Sequence, residues 1–226
     1  MFRIKDVEHR YGERTVLRDV SVELSEHRVA VIGANGSGKS TFARLLNGLV
    51  VPTSGTVTVD GLDTHKEGRK VRARVGFVFQ DPDLQIVMPT VAEDLAFGLK
   101  YRGLSKAEIA DRVDRALDTY GLRDFRDHPA HLLSGGQKQR LAIASVLALA
   151  PRYVVFDEPT TMLDLRSKRQ VTRIIAALEQ PVVVVSHDMD LLADFDRVLV
   201  FDEGRLVADG RPATSIAAYL ELMDAC

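Results

Sequence analysis

Eight consecutive residues narrow the folds open to this chain more than any others. Gly33-Ala34-Asn35-Gly36-Ser37-Gly38-Lys39-Ser40 follows an apolar run, Arg28 to Ile32, and precedes a helical pattern. A strand that ends in such a glycine-rich loop lets successive backbone N–H groups turn into one cavity. The helix beginning near Lys39 adds the positive end of its dipole. Strand, glycine loop and helix in that order make a phosphate-binding arrangement, in which Lys39 reaches the β- and γ-phosphates of a nucleotide and the Ser40 hydroxyl faces Mg²⁺. The nucleotide-binding set is therefore Gly33 to Thr41, and the surrounding fold must be α/β.

The rest of the chain agrees with that demand. Short β-branched runs alternate with helical patterns, as in a largely parallel sheet flanked by helices. Arg28 to Ile32, Tyr153 to Phe156 and Val182 to Val185 lack polar alternation and suit strands covered on both faces. Ile4 to Tyr11, Val16 to Leu24 and Thr56 to Asp60 mix apolar and polar residues and predict a small antiparallel sheet. Strand signals vanish between 88 and 132. Ser105 with Glu108 forms a capping box ahead of the periodic Ile109, Val113, Leu117 and Tyr120, and Gly121 is placed to stop that helix. Residues 81–150 are expected to be a mostly helical subdomain inserted into the α/β core, the alternative being helices that belong to the core itself. A helix, a strand pair and a last helix over Ala213 to Met223 are expected after His187. The whole of 1–226 is expected to be one domain without a C-terminal extension.

Composition excludes several function classes. Among 226 residues, 46% are hydrophobic, 27% are charged and the net charge is −2, ordinary values for a globular protein. No global positive field draws the chain to nucleic acid. The longest apolar run, Leu141 to Ala150 interrupted by Ser145, is far short of the ~20 residues that cross a bilayer. The N-terminus lacks the apolar stretch of a secretion signal, which predicts a cytoplasmic location. The single cysteine, Cys226, excludes an internal disulfide and is expected to present a solvated thiol.

Two further motifs carry chemistry. Tyr153 to Phe156 runs into Asp157 and Glu158, two acids at the carboxyl edge of a parallel sheet, where such sheets present ligands. Asp157 is a candidate to hold Mg²⁺ and Glu158 a candidate base for the water attacking a γ-phosphate. Leu133-Ser134-Gly135-Gly136-Gln137 precedes a helical segment, Lys138 to Ala150. It is either a flexible loop with a helix cap or a second anion-binding surface, one that serves a nucleotide held by another copy of the protein.

In their order, these motifs resemble the ATP-binding cassette family, whose signature stands unaltered at 133–137. The resemblance covers essentially the whole chain. It implies that Tyr11 stacks on adenine, although a strand-end aromatic in a hairpin would look the same. It also implies that Gln80 senses Mg²⁺ and the γ-phosphate, that Asp164 is the aspartate of the loop after the acidic motif, and that His187 is the switch histidine. Two cassettes of this family pair head to tail, so Ser134, Gly135, Gly136, Gln137 and Asp164 would act in trans on the partner's ATP. Phe79 to Gln85 resembles the ATPases of energy-coupling-factor importers of vitamins and transition-metal ions, with Asp81 where asparagine is common. Biotin is the suggested substrate. The implied partners are a transmembrane coupling protein and a substrate-binding membrane protein, with the chain on the cytoplasmic face of the membrane. The competing class is a soluble cassette ATPase acting on nucleic acid or the ribosome, or the ATPase of another importer class. The interval from Gln80 to Ser134 holds no long coiled coil, and there is one phosphate loop. The apolar residues of 81–98, among them Leu84, Ile86, Val87, Met88, Val91, Leu95 and Phe97, either dock a membrane partner or pack internally.

Overall fold

The computed structural model describes residues 1–192 and 194–224. Cys226 and its expected solvated thiol lie outside the described residues. The chain divides into two compact units, one formed by Met1–Phe77, Arg152–Glu158 and Leu178–Cys226, the other by Val78–Pro151 and Pro159–Ala177.

The first unit contains two sheets. In the antiparallel one, β1 (Phe2–Tyr11), β2 (Arg14–Leu24), β4 (Ser54–Val59) and β5 (Leu62–Asp63) lie in the order β2-β1-β4-β5. Alternation along β1, reset by a bulge at Asp6, sends Phe2, Ile4, Val7 and His9 inward and leaves Arg3, Lys5 and Glu8 outside or at the rim. The three longer strands are those expected from the sequence. The two-residue β5 carries no pattern of its own.

The second sheet has β3 (Arg28–Gly33), β6 (Val75–Val78), β7 (Tyr153–Asp157), β8 (Val182–Val185), β9 (Arg197–Asp202) and β10 (Arg205–Gly210), in the order β10-β9-β3-β8-β7-β6. β3 is parallel to both β8 and β9, β8 is parallel to β7, and the β9–β10 pair is antiparallel. The three strands read as doubly covered, β3, β8 and β7, are adjacent and buried almost throughout. They are held by α1 (Lys39–Asn47), whose Phe42, Leu45 and Leu46 are fully buried, Phe42 against Phe201 at 4.9 Å between ring centroids. The short α2 (Gly68–Arg74) buries only Val71. After His187 come α7 (Met189–Leu192), the β9–β10 pair and α8 (Pro212–Asp224), as expected.

The second unit is helical: α3 (Val91–Leu99), α4 (Lys106–Thr119), α5 (Gly135–Leu147) and α6 (Leu165–Ala176). Capping boxes start α3 (Thr90 with Glu93), α4 (Ser105 with Glu108) and α5 (Ser134 with Gln137). Gly121, at φ 63°, follows the end of α4. The core is built from Val91, Leu95, Leu99, Val113, Leu117, Leu122 and Leu141, so part of the apolar set in 81–98 packs internally. Ile86 joins that core from its edge, whereas Leu84, Val87 and Phe97 are exposed. One expectation is corrected. The helix assigned to Lys138–Ala150 begins at Gly135 and ends at Leu147, because the Ser134 box closes its first turn across the two glycines and Ala150 adopts φ 51° before Pro151.

Candidate nucleotide site

The carboxyl ends of β3, β8 and β7 meet at one edge of the parallel sheet, and each delivers a different kind of group. From β3 comes the loop into α1. Its last residue, Gly38, caps the helix at φ 102°, and a Cβ there would lie 2.8 Å from the Val16 carbonyl oxygen and 2.7 Å from Leu17 Cδ2. Only glycine fits. Ser37 Oγ is buried in this loop without a hydrogen-bond partner among the described residues. Lys39 is buried, and its Nζ donates to the carbonyl oxygens of Gly33 and Ala34, both at 2.8 Å. Burial pulls its pKa below the usual lysine range, partly offset by the carboxylates of Glu158 and Asp157.

From β7 come the two acids. Asp157 is buried, and Ser40 Oγ donates to its Oδ1 at 2.8 Å; burial pushes its pKa up against that hydrogen bond and the charges of Arg44 and Lys39. Glu158 is the first residue past the strand and takes φ 52°, a left-handed conformation that costs a non-glycine residue ~1–2 kcal/mol. Its N–H donates to the Val185 carbonyl at 2.9 Å, fastening the turn to β8. From β8 comes His187, half-exposed, whose Nε2 stands 2.8 Å from Glu158 Oε1.

Beside the phosphate loop, a cleft of about 490 Å³ runs between Arg14, Thr15, Val16, Gly36 and Glu203. Tyr11, at the end of β1 and half-exposed, pairs with Arg14 across the turn, and its ring meets that of His9 edge-on at 4.6 Å.

Gln80, Ser134 to Gln137 and Asp164 belong to the second unit. Gln80 is exposed just after β6. Ser134 caps α5, and Asp164 caps α6 by accepting from Ser167 N at 2.7 Å, a hydrogen bond that lowers its pKa. These two helix starts are locked together. A Cβ on Gly136 would stand 2.1 Å from Ser167 Oγ, so the second glycine of 133–137 permits a close approach of α5 to α6.

Three further polar groups, two beside the site and one in the helical unit, escaped the sequence reading. Arg44, one helical turn after Ser40, places Nη2 3.7 Å from Asp157 Oδ2. His9 was signalled only by its alternation with Tyr11 on one face of β1. Asp94 is a buried acid inside the helical unit, accepting hydrogen bonds from Val87 N, Met88 N and Ser145 Oγ.

With this geometry established, the family description ABC transporter matches residues 17–161. The chain belongs to the ABC transporter family. The biotin transport ATP-binding protein BioM of Rhizobium etli is 50% identical to this cassette over 212 residues, 94% of each chain. An energy-coupling factor transporter ATP-binding protein of Caldanaerobacter subterraneus is 44% identical over 204 residues, 87% of this chain and 74% of that protein. Among solved structures, cbiO1 from Clostridium perfringens, part of the cbiONQ transporter complex, superposes with a TM-score of 0.83 at 33% identity, covering 97% of this chain and 92% of that one. A dimeric ATP-binding cassette in a post-hydrolysis state with ADP and Pi bound gives 0.84 at 30% identity, with 94% and 99% covered. The cassette binds and hydrolyses ATP as a transporter ATPase. Among the described residues, no helix is long and apolar enough to cross a membrane.

Proposed function

We propose that the chain is the ATPase of an energy-coupling-factor importer, acting as a head-to-tail pair that closes around two ATP and drives uptake of a vitamin, biotin, or of a transition-metal ion. The observation that carries this reading is the presence of two anion-binding helix starts, at Lys39 and at Ser134, in a chain with one phosphate loop. A second copy gives the Ser134 helix a phosphate to bind. Leu132, Met162 and Leu165, large apolar side chains that flank the two locked helix starts, are 64%, 95% and 63% exposed and would be covered by that copy.

In this reading the phosphate chain lies along Gly33 to Thr41, with Lys39 leaving its two carbonyls for the β- and γ-phosphates. Adenine stacks on Tyr11. Buried beside His187, the Glu158 carboxylate accepts the proton of the attacking water, and His187, with Nε2 2.8 Å from Glu158 Oε1, holds that carboxylate in place. Ser134, Gly135, Gly136 and Gln137 present N–H and hydroxyl donors to the partner's γ-phosphate, and Asp164 sets the α6 start against them. The hydroxyl of Ser40 and the carboxylate of Asp157 are hard oxygen donors 2.8 Å apart, a pair suited to Mg²⁺ together with water and phosphate oxygens; the family resemblance adds Gln80 as a further ligand. When bound, Mg²⁺ neutralises charge developing on those phosphate oxygens.

The membrane-spanning parts belong to partners: a transmembrane coupling protein and a substrate-binding membrane protein, with this subunit peripheral on the cytoplasmic face. Leu84, Val87 and Phe97, exposed around the start and outer face of α3, are the side chains offered to the coupling protein. The similarity to BioM supports biotin. The test is reconstitution of the complex that co-purifies from detergent-solubilised membranes, with ATP-driven uptake of biotin measured against cobalt and nickel. Glu158→Gln should cut hydrolysis and uptake together by about 10²- to 10⁴-fold while ATP holds the dimer closed. Wild-type uptake in that variant would refute the assignment.

A further inference from the structure

Although the chain is acidic overall, α2 and the residues just before it form a concentrated basic surface; a second basic run, Arg166 to Arg173, lies on α6. Between residues 66 and 74, Lys66, Arg69, Lys70, Arg72 and Arg74 face a single Glu67, although the whole chain has a net charge of −2. α2 turns Val71 into the core and leaves Lys66, Arg69, Lys70 and Arg72 outside. Local pairing removes little of their charge. Lys70 meets Glu67 at 3.0 Å and Arg74 meets Asp60 at 3.5 Å. Arg72 Nη1 donates to a neutral acceptor, the Gly48 carbonyl, at 3.0 Å. The Lys66 ammonium and the Arg69 guanidinium have no ion-pair partner among the described residues, although the Asp63 carboxylate accepts from Lys66 N at 3.1 Å. That Arg72 bond ties α2 to the turn after α1, where Leu49 and Val51 are 44% and 41% exposed. Uncompensated cations beside protruding aliphatic side chains make a surface that can take anionic headgroups while inserting shallow apolar anchors.

We propose that α2 with the adjoining Leu49–Val51 turn is a docking surface for anionic phospholipid headgroups. The proposal rests on the reading of this chain as a peripheral subunit at the cytoplasmic face, where the leaflet is negatively charged. Charge complementarity selects this occupant. Nucleic acid is disfavoured, since no Phe, Tyr or Trp stands between Gly61 and Gly76 to stack on bases, and the overall charge is negative. Lipid contact would orient the cassette toward the membrane and raise its local concentration near the membrane partners.

The experiment needs neither partner nor transport. The full chain is sedimented with phosphatidylcholine vesicles and with vesicles in which about a third of the lipid is phosphatidylglycerol, at low and high salt. With a net charge of about +3 on the α2 surface, partitioning to the anionic vesicles should be roughly a hundredfold stronger and should collapse at high salt. Lys66→Glu with Arg69→Glu should reduce it at least tenfold, while Arg205→Glu, an exposed cation on the edge strand β10, should leave it nearly unchanged. Both variants should keep wild-type ATP hydrolysis, measured separately, so that loss of lipid binding is distinguishable from failure of the ATPase reading. Equal binding to both vesicles, retention in the double variant, an equal loss in Arg205→Glu, or displacement from vesicles by duplex DNA would each overturn the proposal.

Discussion

Asp94 holds the segment ahead of α3 in place, and its removal should free that segment without touching the nucleotide site. Its Oδ1 accepts from Val87 N at 2.9 Å and Met88 N at 3.1 Å, and its Oδ2 accepts from Ser145 Oγ at 3.0 Å, all with the residue 5% exposed. Hydrogen bonds to a charged group contribute about 1.5–3 kcal/mol each, so the three together are worth several kcal/mol. Against this stands the desolvation of a buried carboxylate, also several kcal/mol. Asp94→Ala relieves the second term but strands two amides and a hydroxyl, giving a net destabilisation of about 2–4 kcal/mol. Asp94→Asn keeps one oxygen for the two amides and turns its NH₂ toward a hydroxyl that can accept, so it should cost only about 1 kcal/mol. Urea unfolding measures the totals, and hydrogen exchange at Val87 and Met88 localises them, with protection expected to fall by about two orders of magnitude in the alanine variant. ATP hydrolysis by the isolated chain should persist. Unchanged protection at those two amides, or an asparagine variant as damaged as the alanine one, would refute the reasoning.

Lys39→Ala removes the one cation of the phosphate loop and should weaken ATP binding and abolish turnover, measured by nucleotide titration and phosphate release; hydrolysis at the wild-type rate would contradict the site. Mixing Ser134→Arg chains with Lys39→Ala chains gives dimers in which one site carries both lesions and the other none, so activity should reappear from two inactive proteins. Mixed dimers that form but stay inactive would count against independent sites completed in trans. His9→Ala should raise KM for ATP roughly threefold to tenfold with kcat unchanged, because an edge-on ring contact of about 0.5–1.5 kcal/mol holds Tyr11. His9→Phe should restore the wild-type KM, and a fall in kcat alone would refute the positioning role.

What the sequence made legible was whatever local patterning decides. β3, β7 and β8 were visible because doubly covered parallel strands read as unbroken β-branched runs, and α4 because Ser105, Glu108 and Gly121 mark both of its ends. The phosphate loop, Asp157 and Glu158 at the end of β7 and His187 after β8 follow from the same strand ends, which the apolar runs already mark. What stayed hidden depends on contacts distant in sequence. Gly135 and Gly136 look like loop residues, since glycine is a poor helix former, yet the approach of Ser167 requires one of them inside the helix. Asp94 reads as an ordinary acid on a helix face until three donors converge on it. The irregular apolar spacing of 81–98 could not say which side chains point in, and packing divides them, burying Val91 and Leu95 and exposing Leu84 and Val87. The left-handed backbone at Glu158 has no sequence mark at all.

The three capping boxes differ in the fate of a single proton. At α3 the Thr90 hydroxyl gives its hydrogen to Glu93 Oε2 at 2.8 Å, and at α4 the Ser105 hydroxyl gives its own to Glu108 Oε2 at 2.7 Å. At α5 the third residue of the helix is Gln137, whose Oε1 accepts from Ser134 N at 2.7 Å while Gln137 N donates to Ser134 Oγ. Among the described residues no acceptor takes the Ser134 hydroxyl hydrogen. A hydroxyl has one hydrogen to donate and two lone pairs, and the cap uses a lone pair only. Ser134 can therefore close its helix and still give a hydrogen to an incoming anion, with no acid in the first turn of that helix.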